Sequence, residues 1–133
     1  MKVLTLKQPW ATLVAEGYKK YEFRTWKTKY RGEIYIHAGK EIDKEALNRV
    51  KCLNLEYPQS KILAKVNISN CIELTKEINK SIIKEKLLIY GNKEDRTGYA
   101  WKITKVEKIK NENLVLGKLG LWYNIQKVGG TYV

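Results

Sequence analysis

The chain has 133 residues, enough for one domain with a real core and short for two. Apolar content of 44% beside 30% charged residues is ordinary globular composition and excludes a disordered chain. The formal net charge of +12, from 26 basic against 14 acidic residues, directs attention to polyanions such as nucleic acid, or to an anionic membrane surface.

Lys2 to Leu6 alternates in polarity and predicts a short strand. In the opening MKVLTLKQPW, Gln8 and Pro9 interrupt any apolar run, so no signal peptide is expected. Pro9 suits the first turn of a helix, where its missing N–H is not needed. Trp10, Leu13 and Val14 then fall at i, i+3 and i+4, and Gly17 ends the helix. From Lys20 to Trp26 the period is two: Tyr21 and Phe23 share one face, and Lys20, Glu22, Arg24 and Trp26 share the other.

GEIYIHAG, residues 32–39, is another β run bounded by glycines. Residues 41–54 predict a helix capped by Asp43, with Ala46, Leu47 and Val50 inward. Residues 61–74 form a long β-type segment in which Ile62, Ala64, Val66 and Ile68 alternate, and residues 77–86 a basic amphipathic helix carrying Ile78, Ile82 and Ile83. A further strand is expected over 98–109, through Tyr99, Trp101 and Ile103, and the tail LVLGKLGLWYNI predicts a bend and one last strand. No apolar stretch approaches the ~20 residues of a membrane span. The expected fold is a single α+β domain over residues 1–133, a small mixed β-barrel of five to six strands with two or three inserted helices.

The two cysteines, Cys52 and Cys71, and the single His37 offer no metal-ligating spacing. No metal or cofactor is therefore expected, and the chain reads as a reduced cytoplasmic protein with two buried thiols. A Lys-, Ile- and Asn-rich, Arg-poor composition also matches an AT-rich genome, but the charge is concentrated. Residues 17–31 hold six basic residues against one acidic, whereas residues 32–80 hold eight against seven.

That block contains GYKKYEFRTW, residues 17–26, where Lys19, Glu22 and Arg24 are threaded between aromatics. In a strand, Glu22 and Arg24 emerge on one face roughly 7 Å apart, close enough for a partial ion pair that leaves donors free for a ligand. Lys19 stands just before the strand, where a turn can swing its amine toward the same cleft. Burial beside Arg24 would lower its pKa, and a lowered amine can act as general base or nucleophile; an unperturbed one is a phosphate contact. The competing reading is a surface salt bridge with solvated lysines. Trp26 shares the face of Arg24, and Tyr30 lies among Lys27, Lys29 and Arg31, an arrangement suited to stacking an unpaired base and neutralising its backbone. Core packing is the other reading for Trp26 and the expected one for Trp101 and Trp122. Gln8 can read a base edge or begin the helix. His37, the only side chain with an ordinary pKa near neutrality, is either a core residue or a catalytic one.

Four segments in order, LTLKQPWATLVAEGYKKYEFRTW, GEIYIHAGK, GYAWKI and GKLGLW, together resemble ASCH (activating signal cointegrator homology) domains. The family's GxKxxExR signature is complete as Gly17, Lys19, Glu22 and Arg24. The resemblance implies a PUA-like pseudo-barrel with the charged signature lining a cleft beside the first helix, and a cleft-facing role for Gln8. Many members of the family are regarded as RNA-binding. One branch resembles amidohydrolases that remove acyl groups from the exocyclic nitrogen of cytidine, and others have been described as ribonucleases. Where the amidohydrolase branch carries threonine, this chain has Glu22, which cannot replace a hydroxyl nucleophile without a changed mechanism.

The leading expectation is thus an RNA-binding PUA-like domain that recognises RNA, single-stranded or structured, or a nucleoside, in a basic cleft. Its ligand contacts would be Gln8, Trp10, Lys19, Glu22, Arg24, Trp26, Lys27, Lys29, Arg31 and His37, with Tyr21 and Phe23 anchoring the strand in the barrel core. The alternative is a hydrolase acting on RNA or modified nucleosides from the same cleft, with Lys19 and Glu22 catalytic. An adaptor whose basic surface meets an acidic protein comes last. A monomer without membrane association is expected.

Overall fold

A computed structural model describes residues 1–110 and 113–123, and the backbone of residues 127–128 and 131–132. Six strands form one mixed sheet: β1 (Lys2–Gln8), β2 (Tyr21–Arg24), β3 (Gly32–Ile42), β4 (Lys61–Glu73), β5 (Tyr99–Lys108) and β6 (Leu121–Tyr123), in the order β2-β5-β4-β3-β1-β6. The β1–β3 pair is parallel and every other pair antiparallel. Among the described residues four short helices intervene: α1 (Trp10–Ala15), α2 (Lys44–Arg49), α3 (Lys76–Glu85) and α4 (Leu87–Tyr90). That is one helix more than expected. A separate hairpin pairs β7 (Lys127–Val128) with β8 (Thr131–Tyr132).

The sheet curls but is open along its hydrogen-bonded order: among the described residues no ladder joins β2 to β6. Register shifts in the β4–β5 ladder, with Lys105 at φ 51°, bend these strands as bulges do. Strand β6 covers only Lys2–Leu4 of β1. The Thr5 carbonyl beyond it accepts instead from Arg24 Nη2 at 2.7 Å, so a side chain from one edge strand reaches across to β1.

Helix α1 fills the concave face. Five of its residues, Ala11 to Ala15, are buried, which is the pattern of an enclosed helix rather than of the one-striped helix expected. Ala11, Val14 and Ala15 pack against Leu4, Ile36, Val66 and Trp101 in the main core. Each fully buried aliphatic or aromatic side chain there contributes on the order of 1.5–3 kcal/mol. Gly17, at φ +81°, lets the chain turn out of the helix, with its N–H on Val14 O and that of Tyr18 on Leu13 O. A second cluster, including Leu13, Ile82, Ile83, Ile89, Tyr90 and Ala100, lies under α3 and α4.

This second cluster reverses the expected faces of β2. The register opposes Glu22 to Trp101 and Phe23 to Ala100. Trp101 belongs to the main core, whereas Ala100, Tyr21 and Phe23 belong to the cluster under the helices. Tyr21 and Phe23 therefore do not anchor the concave core; α3 and α4 need an apolar strand face beneath them, and the charged face turns inward. Two other expectations are corrected. Residues 41–54 divide into the end of β3, α2 and a 3-10 turn at Lys51–Leu53, although Asp43 does cap α2 by accepting from Ala46 N at 3.0 Å. Cys52 is exposed and Cys71 half-buried, so neither is the buried thiol expected.

Candidate functional site

A cleft of about 980 Å³ is lined by Trp10, Lys19, Glu22, Arg24 and Arg96, and by residues 116–120. Its floor is a chain of charges. Lys19 Nζ donates to Glu22 Oε1 at 2.7 Å and to the Tyr21 carbonyl, and Glu22 Oε2 lies 3.1 Å from Arg24 Nε. Lys19 is 3% exposed and Glu22 7%. The turn after α1 aims the lysine inward: its own N–H bonds Leu13 O at 3.0 Å. The next two N–H groups, of Lys20 and Tyr21, donate to Tyr90 Oη at 3.0 and 3.2 Å and tie the start of β2 to α4.

Three aromatic rings surround the amine, with Phe23, Trp10 and Tyr90 centroids 5.2, 5.5 and 5.9 Å from Nζ. Burial is the largest influence on Lys19 and pushes its pKa below the usual lysine value; Glu22 opposes this, while Arg24 and Arg96 reinforce it. The site thus holds a desolvated amine on a carboxylate, at the bottom of an aromatic-walled cleft.

Arg96 was not foreseen from the sequence. Its guanidinium lies 4.0 Å from the Phe23 centroid, donates from Nη1 to Asn79 Oδ1 at 3.1 Å and from Nη2 to Tyr90 O at 3.3 Å. Asn79 is fully buried, and its Nδ2 holds Lys93 O at 2.9 Å, so α3 clamps the 91–98 loop against the cleft. The available signal was Asn79 itself, a polar residue at i of the i, i+3, i+4 stripe completed by Ile82 and Ile83. A buried amide on such a stripe needs partners, and the loop supplies them. Gly98, at φ +101°, closes that loop where a Cβ would stand 2.5 Å from Arg24 O.

Of the ten candidate residues, the structure brings Trp10, Lys19, Glu22, Arg24 and His37 to this cleft. His37 is fully buried in a neutral network: Nε2 meets Val115 O at 2.5 Å, leaving Nδ1 to accept from Thr5 Oγ1 at 3.0 Å. Thr5 Oγ1 accepts in turn from Trp122 Nε1 at 3.0 Å. Burial lowers the His37 pKa. Gln8 is also fully buried and fully engaged: its Oε1 caps α1 through Thr12 N at 3.0 Å, and its Nε2 donates to Thr12 Oγ1 and Pro58 O. It begins the helix and does not line the cleft. Trp26 packs edge-on against Trp101 at 4.7 Å, Lys27 and Lys29 are exposed, and Arg31 Nη1 donates to the Thr28 and Tyr30 carbonyls; none of these four lines the cleft.

Among the described residues no group of three or more His, Cys, Asp or Glu side chains could hold a metal ion, and no helix is long and apolar enough to cross a membrane. The family model described as the ASCH domain matches residues 4–113, which include every charged residue of the cleft floor. The chain is also 28% identical over 81 residues to Activating signal cointegrator 1 of Mus musculus, an alignment covering 52% of this chain and 14% of that protein. The chain therefore spans a small part of that relative's length.

Proposed function

Because this chain belongs to the ASCH domain family, we propose that it binds RNA, taking an unpaired nucleotide into the cleft built on Gly17, Lys19, Glu22 and Arg24. One observation carries the reading: the buried Lys19–Glu22–Arg24 chain opens into a cleft walled by aromatic rings. Buried ion pairs rarely raise stability over an apolar replacement, because desolvation offsets their attraction. Their placement at the floor of a cleft is therefore best understood through what enters it. Half-buried Trp10 offers a ring for base stacking, and Lys40, Lys93 and Lys118 on the rim offer cations for a phosphate backbone. On this reading the curled sheet is a PUA-like barrel whose gap between β2 and β1 is spanned by the Arg24 side chain.

The test is fluorescence anisotropy of short single-stranded and hairpin RNAs with wild type, Lys19→Met and Arg24→Gln across a salt series, with circular dichroism to confirm folding. Affinity that falls steeply with salt and is lost in folded variants supports the reading. Binding unchanged in both variants moves the RNA elsewhere, and no binding by the wild type ends it.

A second reading, hydrolysis in the same cleft, is favoured by the depressed Lys19 pKa, since an amine that loses its proton more readily can accept one from water. Release of cytidine and carboxylic acid from an N4-acylated cytidine, or scission of RNA, lost in Lys19→Met, would establish it. Intact substrates after prolonged incubation with wild type would end it.

A further inference from the structure

The charges of the cleft floor do not balance. Lys19, Arg24 and Arg96 interact electrostatically with one another or with Glu22, so three cations share one carboxylate. The other two acids along the cleft are committed elsewhere: Glu41 pairs with Lys7 at 3.4 Å, and Asp43 caps α2. Outside the lining, Arg96 also feels the attraction of exposed Asp95 and the larger repulsion of Arg49, so this outer pair does not reduce the excess. The floor therefore carries an excess of about two positive charges in a desolvated place, where uncompensated charge is expensive.

The donors of that excess are not saturated. Arg24 Nε is buried without a hydrogen-bond partner, its 3.1 Å approach to Glu22 Oε2 being an ion pair without hydrogen-bond alignment. Among the described residues only Nη2 of the guanidinium has a hydrogen bond, to Thr5 O. Arg96 is fixed through Nη1 and Nη2 by Asn79 and Tyr90 and stacked on Phe23, which presets its plane at no further entropic cost on binding. Two oriented guanidiniums with an excess of two charges match a doubly charged oxyanion that can offer pairs of oxygens to planar forks. An internal phosphodiester carries one charge; a phosphate monoester carries about −1.5 to −2 at neutral pH.

We propose that the cleft recognises a phosphate monoester, either the terminal phosphate of an RNA strand or that of a mononucleotide, held by Arg24 and Arg96 with the adjoining base against Trp10. This rests on the reading of the cleft as a nucleotide site and narrows it from RNA in general to a phosphorylated end. Lys19 and Glu22 then position Arg24 and supply charge, and the rim lysines are secondary.

The experiment is calorimetric titration of wild type with one hexaribonucleotide in three forms, bearing a 5′-phosphate, a 3′-phosphate or neither, and with cytidine, its 5′- and 3′-monophosphates and inorganic phosphate. One phosphorylated form should bind roughly tenfold or more tightly than its unphosphorylated counterpart, as two charge-assisted contacts imply. Folded Arg96→Gln should bring the two within about twofold, and Arg96→Lys should restore part of the difference. Because the main comparison is between ligands on the wild-type protein, it does not depend on a variant that folds. Equal binding of all three hexamers would overturn the monoester while leaving RNA binding in place. Discrimination that survives Arg96→Gln would overturn the assignment to this site. Mononucleotides bound while no hexamer binds would uphold the monoester and sink the RNA reading. No binding by any ligand would sink both.

Discussion

Two buried polar networks stand on either side of the same cleft, and they are built on opposite terms. Around His37 every group is neutral and matched: Trp122 donates to Thr5, Thr5 to His37, and His37 to Val115. The chain closes on itself, fastening the segment that carries Val115 and Trp122 across β1 and β3, over the small cluster of Val3, Tyr35 and Ile62. Around Glu22 every group is charged, cations outnumber the carboxylate, and Arg24 Nε is left over. A satisfied neutral network specifies one packing and asks for nothing more. A buried network with charge in excess asks for a ligand. By that criterion His37, despite lining the cleft, is a fastener, and the proposed ligand site is the one built on Gly17, Lys19, Glu22 and Arg24.

The largest effect expected is from Glu22→Ala. It leaves Lys19 with only the Tyr21 carbonyl and Arg24 with Thr5, two cations without a buried counterion. Urea unfolding should show a loss of about 3–5 kcal/mol, the cost of orphaning a buried pair. Thr5→Val, which strips the linking hydroxyl from the neutral network, should cost about 1–3 kcal/mol. If the two substitutions cost the same, the distinction between the networks fails.

Lys19→Met sharpens the comparison from the other side. It removes one cation and keeps the aliphatic volume among Trp10, Phe23 and Tyr90, while Glu22 retains Arg24. Stability should stay within about 1 kcal/mol of wild type or rise, since a buried charge is replaced by an apolar chain. Affinity for RNA should fall at least tenfold in the same sample. A protein that keeps its ligand but loses its stability would make Lys19 structural.

The His37 network gives a smaller, pH-dependent effect. Burial holds the folded pKa of His37 below its ordinary 6.5, so on acidification the unfolded chain takes up the proton first. The stability it contributes is complete above about 6.5 and is lost as the pH falls through the folded value. His37→Gln should lack that decline in urea midpoints measured from pH 8 to pH 5, while RNA affinity at pH 8 stays near wild type. An unchanged decline in the variant would place the titrating group elsewhere.

Much of this architecture was legible because it is local. The period-two runs around Ile36, Val66 and Trp101 do become strands, Gly17 does end α1, and Asp43 and Lys19 stand where their neighbours in sequence suggest. What was not legible depends on contacts distant along the chain. Which face of β2 turns inward is decided by α3 and α4, more than fifty residues away, and Arg96 reaches the cleft only because Asn79 and Tyr90 hold its loop. Gln8 shows the limit from the other direction: a side chain able to read a base is spent on capping the helix that follows it. A local pattern lists candidate donors, and only the fold says which of them are still unsatisfied.

The smallest effect expected is at the 25–31 loop, whose Lys27, Lys29 and Arg31 are the densest cations in the sequence. They differ from the cleft residues in every property that fixes a ligand. Lys27 and Lys29 are solvated, Arg31 spends Nη1 on the carbonyls of its own turn, and Trp26 is held edge-on by Trp101. Such side chains add diffuse attraction and lose rotamer freedom on contact, so each contributes little. The double change Lys27→Ala with Lys29→Ala should weaken RNA binding about two- to fivefold at low salt and lower the slope of log affinity against log salt by about one to two, equally for every sequence tested. At high salt the variant and wild type should converge, because the cleft contacts remain. A loss as large as that of Arg24→Gln, persisting at high salt, would reverse the order of the two regions. The exposed loop would then be the binding face, and the charged cleft floor a buried network still lacking its reason.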